Sequence, residues 1–313
     1  MSITTDAFLE RVKRRVTFPA NGSTLNDTNL LIMADDAMRE HIIPLMLSVN
    51  KEYFVVKATQ AITSGTDTYD IPYRSIGRTF RELKLQNGSS TSVSNLAQYA
   101  LEDEHLLGTS GIPSGFYFQG DKVVLAPCPL GTSLSLLEWY DLAPSDFVLL
   151  QDCAKVVSVS GADVTCETVP SNITSSSEID FVQGKSGNSV ISLDVDVSSV
   201  ADPVISFASS TDVPTGLVAG DYICESGKTP VLQIPNELVP LLEIWTGQRI
   251  LYAMSDYEGA QLLVSGAPNA EKNARSLLAP RISGESTKIV NRNGLLKGKG
   301  NGSRYRVRGG YYP

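Results

Sequence analysis

Asn29-Leu-Leu-Ile-Met-Ala-Asp-Asp-Ala-Met-Arg-Glu-His-Ile-Ile-Pro-Leu-Met-Leu-Ser-Val-Asn50 is the stretch on which the fold turns. Leu30, Ala34, Ala37, Met38, His41, Leu45 and Val49 recur at helical spacing, so an amphipathic helix is predicted from about Thr28 to Asn50. Asn26 or Asp27 supplies its N-cap. Pro44 lacks the N–H that would bond to Glu40, which predicts a kink there and not a stop. His41 falls on the apolar face and reads as a hydrogen-bonded structural imidazole.

An apolar face of that length needs covering, and both ends of the chain offer cover. Thr5 and Asp6 cap a shorter helix over residues 4–16 with Phe8, Leu9, Val12 and Val16 on its stripe; Arg11, Lys13, Arg14 and Arg15 lie mostly off it. Far downstream, Leu238, Leu241, Leu242, Trp245 and Tyr252 mark a helix ending near Met254. Asp256 opens another that carries Leu262, Leu263, Ala270, Ala274, Leu277 and Leu278, bent or split by Gly266 and Pro268 and ended by Pro280. Helices at the two ends of a β-rich middle imply one bundle closed by distant parts of the chain.

The middle reads as strands. Phe54 to Ile62, the turn at Ser64-Gly-Thr-Asp and the run Thr68-Tyr-Asp-Ile-Pro72 have the pattern of strand and hairpin, and Arg81 to Gly88 repeats it with Asn87-Gly88 as the turn. Residues 93–106 are expected to hold a short acidic helix with Leu96, Tyr99, Ala100 and Leu106. Phe116 to Leu125 is a hairpin closed at Gly120-Asp121, and Leu134 to Tyr140 completes a small antiparallel sheet. Residues 155–234 stand apart, with fifteen serines, ten acidic residues and three basic ones, Lys155, Lys185 and Lys228. Their short alternating runs between Gly, Ser and Pro turns suggest an independent all-β unit of sandwich or barrel type. The expected class is α+β, in four parts: N-terminal helices plus the small sheet over 1–150, an inserted all-β unit over 151–234, C-terminal helices completing the helical bundle over 235–284, and an extended tail over 285–313.

Charge is distributed unevenly. The chain has 313 residues and a formal charge of −8, with 42% hydrophobic and 19% charged residues, an ordinary globular balance that argues against a DNA-coating protein. Residues 285–313 hold seven basic residues against Glu285 alone, a net +6, which leaves −14 on the first 284. No apolar run approaches the roughly 18 to 20 residues of a membrane span, and the N-terminus lacks the pattern of a secretion signal. Cys128, Cys153, Cys166 and Cys224 follow neither a zinc spacing nor a dense disulfide framework, and read as buried or idle thiols in a reducing cytosol.

Catalytic and cofactor chemistry finds no foothold. Ser226-Gly227-Lys228-Thr229 resembles the end of a phosphate-binding loop, but Tyr222 stands where the first glycine is required and Pro230 follows, so the opening helix is missing. Gly184-Lys185-Ser186 fails similarly, with Ile179 at the glycine position. His41 and His105 are the only histidines, and no catalytic residue, metal ligand set or cofactor is assigned. The tail is different. Leu295, Leu296, Tyr305, Val307, Tyr311 and Tyr312 lie among Lys297, Lys299, Arg304, Arg306 and Arg308, and six glycines follow Asn293. Alone, such a segment is expected to be unfolded. Against a partner it can add as an extended strand while its arginines pair with carboxylates.

In this order the chain resembles the head-to-tail connector, or adaptor, proteins of tailed bacteriophages. The resemblance is carried by Asn29 to Asn50 followed by Glu52-Tyr53, by Tyr69-Asp-Ile-Pro72 with Arg78-x-x-Arg81-Glu-Leu, by Pro113-x-Gly-Phe-Tyr-Phe and by Leu125-Ala-Pro-Cys-Pro129. Downstream come Gln233-Ile-Pro-Asn-Glu-Leu-Val-Pro-Leu-Leu, Leu278-Ala-Pro-Arg-Ile-Ser-Gly and Asn291-Arg-Asn-Gly-Leu-Leu. It implies a non-enzymatic structural protein of the virion neck, assembled in the host cytoplasm. It also implies a dodecameric ring beneath the portal that joins the DNA-filled head to the tail or nozzle proteins and helps retain DNA without sequence-specific binding. The family's portal-binding role would fall here on the eleven tail residues Leu295 to Tyr312 named above. Another neck or tail-tube structural protein is the second reading, and a DNA-processing protein whose basic tail tracks substrate is the third.

Overall fold

The protein is described by a computed structural model covering residues 3–18, 25–88, 93–100, 110–130, 133–184 and 190–278. All of these belong to one unit, Met1–Ala279. The class is α+β, with six α-helices and nineteen strands among the described residues.

Helix α1 spans Thr5–Arg15, and it is Thr4, not Thr5 or Asp6, that caps it by accepting from the Ala7 N–H; the Thr5 hydroxyl donates to the Val148 carbonyl and Asp6 accepts from the Leu150 N–H instead. Helix α2 spans Asp27–Ala37, where Asn26 plays the expected capping role by accepting from the Asn29 N–H at 2.8 Å. Pro44 is accommodated in an unexpected way. A π-helical turn over Met38–Ile42, closed by the Ile43 N–H bonding to the Met38 carbonyl, precedes α3 at Ile43–Val49. The wider turn moves Pro44 to the start of a new helical segment, where a missing N–H costs little. It also shifts the apolar face by one residue: Ile42 and Met46 are fully buried, and His41 is displaced toward solvent. The imidazole packs against the Trp245 ring at 3.8 Å.

Strands β1 (Val55–Ala61) and β2 (Thr68–Asp70) do not form the expected hairpin. With β3 (Glu82–Asn87), β4 (Val93–Asn95), β5 (Ala97–Gln98), β6 (Ser110–Gly111), β7 (Gly115–Gln119), β8 (Lys122–Ala126), β9 (Cys128–Pro129) and β10 (Leu134–Asp141) they sort into two four-stranded sheets and a small β6-β9 pair. The sheets run β1-β10-β3-β4 and β2-β8-β7-β5. Strand β10 gives β1 seven paired residues, whereas β2 is three residues long, so the longer ladder wins and β2 joins β8 instead. The hairpin at Gly120-Asp121 forms as expected, with Gly120 at φ +65°, a conformation that costs glycine nothing. Residues 93–98, expected to open a helix, are strands paired with β3 and β7; local helical spacing is overridden by ladder hydrogen bonds and by the burial of Leu96. Residues 101–106 of that expected helix lie outside the described residues. Leu83, Leu85, Leu134 and Leu136 of one sheet meet Phe116, Val123 and Leu125 of the other in a shared core.

Strand β11 (Asp146–Phe147) leads into β12 (Ala154–Ser160), β13 (Asp163–Cys166), β14 (Glu178–Val182), β15 (Val190–Asp196), β16 (Ser199–Ala201), β17 (Val204–Ser206), β18 (Tyr222–Glu225) and β19 (Lys228–Thr229). Seven of them form one sheet in the order β15-β14-β18-β12-β13-β17-β16. Ile179 and Phe181 of β14 share a core with Ile205 of β17, with three strands between them, so the sheet curls upon itself. Strand β11 pairs in parallel with β19, and the Thr5 N–H bonds to the Pro230 carbonyl at 2.9 Å, which ties both ends of this region to the rest of the chain.

Helices α4 (Val239–Ala253), α5 (Tyr257–Val264) and α6 (Ala267–Leu278) follow. Asp256 caps α5 as expected by accepting from the Gly259 N–H at 2.9 Å. Phe8, Leu9 and Val12 of α1, Leu30, Leu31 and Ala34 of α2, and Leu241, Leu242 and Ile250 of α4 occupy one hydrophobic core, joined by Leu232 and Ile234. Each such buried side chain contributes about 2 kcal/mol. Gly247 lets the helices approach: a Cβ there would stand 2.8 Å from Leu263 and 3.0 Å from Val16.

Candidate functional site

Leu295, Leu296, Lys297, Lys299, Arg304, Tyr305, Arg306, Val307, Arg308, Tyr311 and Tyr312 all lie outside the described residues, so the structure brings none of them to a partner surface. Among the described residues, the largest buried polar assembly is one that inspection of the sequence does not single out.

Arg74 sits in the turn after β2, 8% exposed, and reaches across to the curled sheet. Its Nη1 donates to Asp180 Oδ2 at 2.7 Å and lies 3.6 Å from Asp194 Oδ1, and its Nη2 donates to Ser145 Oγ at 2.8 Å. Asp180, fully buried on β14, also accepts from the backbone N–H groups of Asp194 at 3.1 Å and Gly227 at 3.0 Å. Burial pushes its carboxyl up, opposed by the Arg74 guanidinium and by these N–H groups. Tyr73 Oη donates to Asp194 at 2.8 Å, and Ser226 Oγ bonds to the same oxygen. Arg74 therefore fastens three separate segments of the chain in an ionic clasp.

The clasp also explains the phosphate-loop-like fragment. Ser226 and Gly227 serve Asp194 and Asp180, and Lys228 pairs with Glu225 at 2.5 Å. Gly227 stands at φ +76° in a tight turn between two short strands, with no helix behind it. The Gly227 N–H is committed to the Asp180 carboxylate and the Ser226 N–H to the Glu178 carbonyl, so neither is left to cradle a phosphate.

Two further charged clusters hold the helices, and a third buried carboxyl lies between the small sheets. Arg15 of α1 donates to the buried Glu243 of α4 at 2.6 Å, with Arg11 at 3.9 Å, which gives the off-stripe arginines a structural purpose. Asp35 of α2 accepts from the Phe147 N–H through both oxygens, at 3.0 and 3.2 Å, while Arg39 pairs with Asp146. Burial pushes the Asp35 carboxyl up to about 7. Glu138, at the centre of β10 and 2% exposed, faces the core between the two small sheets; its Oε1 has no hydrogen-bond partner, and burial pushes it up to about 7.

His41, Trp245, Pro44, Ser48, Glu271 and Arg275 line a shallow groove of about 240 Å³. Burial lowers the His41 pKa despite the nearby Glu40 carboxylate. On the outer face of the first sheet, the ammonium groups of Lys57 and Lys84 stand 5.4 and 4.7 Å from the Trp139 ring centroid. At the far helices, Tyr252, Met254, Tyr257, Leu262 and Leu277 are exposed, Leu262 by 76%. Among the described residues no group of three or more His, Cys, Asp or Glu side chains is placed to hold a metal ion, and no helix is long and apolar enough to cross a membrane. No family model matches the chain, and no curated protein matches it significantly.

Proposed function

We propose that the chain is a structural protein of the neck of a tailed-phage virion. Several copies, twelve by analogy with the proteins it resembles, form a ring beneath the portal that joins the DNA-filled head to the tail or nozzle and helps retain DNA. The observation that carries this reading is the separation of charge, +6 on the last 29 residues and −14 on the body that precedes them. An acidic ring lining lets DNA slide without adhering, while a basic arm grips an acidic portal surface. The finer architecture belongs to the same proposal: a bundle of N- and C-terminal helices forms the ring wall, the β unit over 151–234 decorates it or receives tail components, and residues 285–313 extend along the portal.

Two features of the fold support self-association. The core is built from helices at both ends of the chain, and α4 to α6 carry exposed apolar side chains, with Tyr257 63% exposed. Exposed apolar surface of that kind is what neighbouring copies in a ring would bury. Native mass spectrometry of the protein mixed with portal rings tests the proposal: a complex with twelve copies per portal is expected, and one or two copies per portal would overturn it. Stacked rings in electron micrographs of the mixture distinguish an adaptor from a DNA-processing protein.

A further inference from the structure

The β unit enters and leaves the rest of the fold through two cysteines. Strands β12 and β18 pair antiparallel, with Ala154 opposite Ile223 and Lys155 opposite Tyr222. One further step in the same register puts Cys153 opposite Cys224. Both are buried, at 6% and 0% exposure, in a single apolar cluster with Val182, Tyr222 and Val231. Burial and the neighbouring Cys153 thiol both push the Cys224 thiol up.

Residues directly opposite in an antiparallel ladder have Cα atoms roughly 4.5 to 5.5 Å apart, inside the range a disulfide spans. The remaining cysteines have no such neighbour in the ladder: Cys166 stands opposite Val156, and Cys128 stands opposite Ser110 in another sheet.

We propose that Cys153 and Cys224 are a disulfide site that closes the β unit at its base when the protein leaves a reducing compartment. The bond would enclose the roughly 70 residues between them, which include the whole core of the unit from Ala154 to Ile223. The oxidant is a small-molecule disulfide such as glutathione disulfide. The Cys153 thiolate attacks one of its sulfurs, releasing one thiolate and leaving a mixed disulfide on the protein. The Cys224 thiolate then attacks the Cys153 sulfur and releases the second. Two electrons pass from the protein thiols to the reagent's S–S bond, and the two thiol protons end on the two released thiols. Cys153, the less deeply buried of the two, is the point of entry. Burial pushes the Cys224 thiol well up, so exchange is slow in the folded protein.

The test uses the full chain under native conditions. The protein is incubated with glutathione disulfide at pH 8, its remaining thiols are alkylated, and non-reduced peptides are mapped by mass spectrometry. The expected result is a loss of two of the four free thiols and a linked peptide pair containing Cys153 and Cys224, with a higher midpoint of thermal unfolding that dithiothreitol reverses. The Cys153→Ala variant should keep its three thiols free, and the Cys224→Ala variant should form no internal disulfide and stop at a mixed disulfide of Cys153 with glutathione. Four free thiols in the native wild type after prolonged incubation, or a link that involves Cys128 or Cys166, would overturn the proposal, and the wild-type map decides it even if a variant does not fold.

Discussion

Glu138→Gln should stabilise the protein at pH 8 and have little effect at pH 5. Glu138 is 2% exposed, it faces Leu83 and Ala58 across the ladder, and one of its oxygens has no partner. Burial raises its pKa from 4.5 to about 7. Below pH 4.5 the carboxyl is neutral in both folded and unfolded chains, and stability is unaffected. Between 4.5 and 7 the unfolded chain ionises while the folded one keeps its proton, so stability falls by roughly 1.4 kcal/mol per pH unit. Above 7 both are ionised, and the folded chain bears the full cost of a buried charge, about 3 kcal/mol. Glutamine carries no charge at any pH and removes this loss. Its amide has about the size of the carboxyl, but the N–H₂ needs an acceptor, and that cost, on the order of 1 kcal/mol, is the same at every pH. Urea unfolding of wild type and variant at pH 5 and pH 8 therefore isolates the charge term. Asp35 also has a raised pKa, but it titrates alike in both proteins and cancels. A stability difference that stays constant between pH 5 and pH 8 would show that Glu138 meets solvent or a partner when ionised, and would refute the reasoning.

Arg74→Ala should destabilise the protein by about 3 to 5 kcal/mol, because it strands Asp180 as a buried charge without its cation, and chemical denaturation will measure it. Arg74→Met combined with Asp180→Asn, which keeps an acceptor for the Asp194 and Gly227 N–H groups, should recover part of that loss; if the double variant is as unstable as the single, the cost lies in packing and not in the unpaired charge. Truncation after Gly284 should leave a folded, soluble protein that no longer captures portal rings, and changing Arg304, Arg306 and Arg308 to Ser should weaken capture and its salt dependence together. Capture by the truncated chain equal to that of the full chain, at low and moderate salt, would make the tail a passive end.

Sequence periodicity was sufficient wherever an element's stability is local. Asn26 and Asp256 cap the helices that follow them, the hairpin closes at Gly120, and α5 and α6 divide at the Gly266 and Pro268 signals. Each of these depends on groups within four residues of one another, so spacing alone encodes it. The charge asymmetry and the apolar stripes that meet in the helical core were also legible, because net charge and amphipathicity are properties of composition and order.

Tertiary structure decided the rest. The π-turn before Pro44 displaces His41 from the core face by one residue, an outcome chosen by the fit of Ile42 and Met46 against distant helices. Residues 93–98 became strands because β3 and β7 offered them ladder hydrogen bonds, and β1 left β2 for the longer partner β10. The clasp joins Arg74 to Asp180 across 106 positions, and Cys153 meets Cys224 only once β12 and β18 are in register. A buried charge or a facing thiol pair is created by the approach of segments far apart in the chain, and no local pattern records which segments will meet.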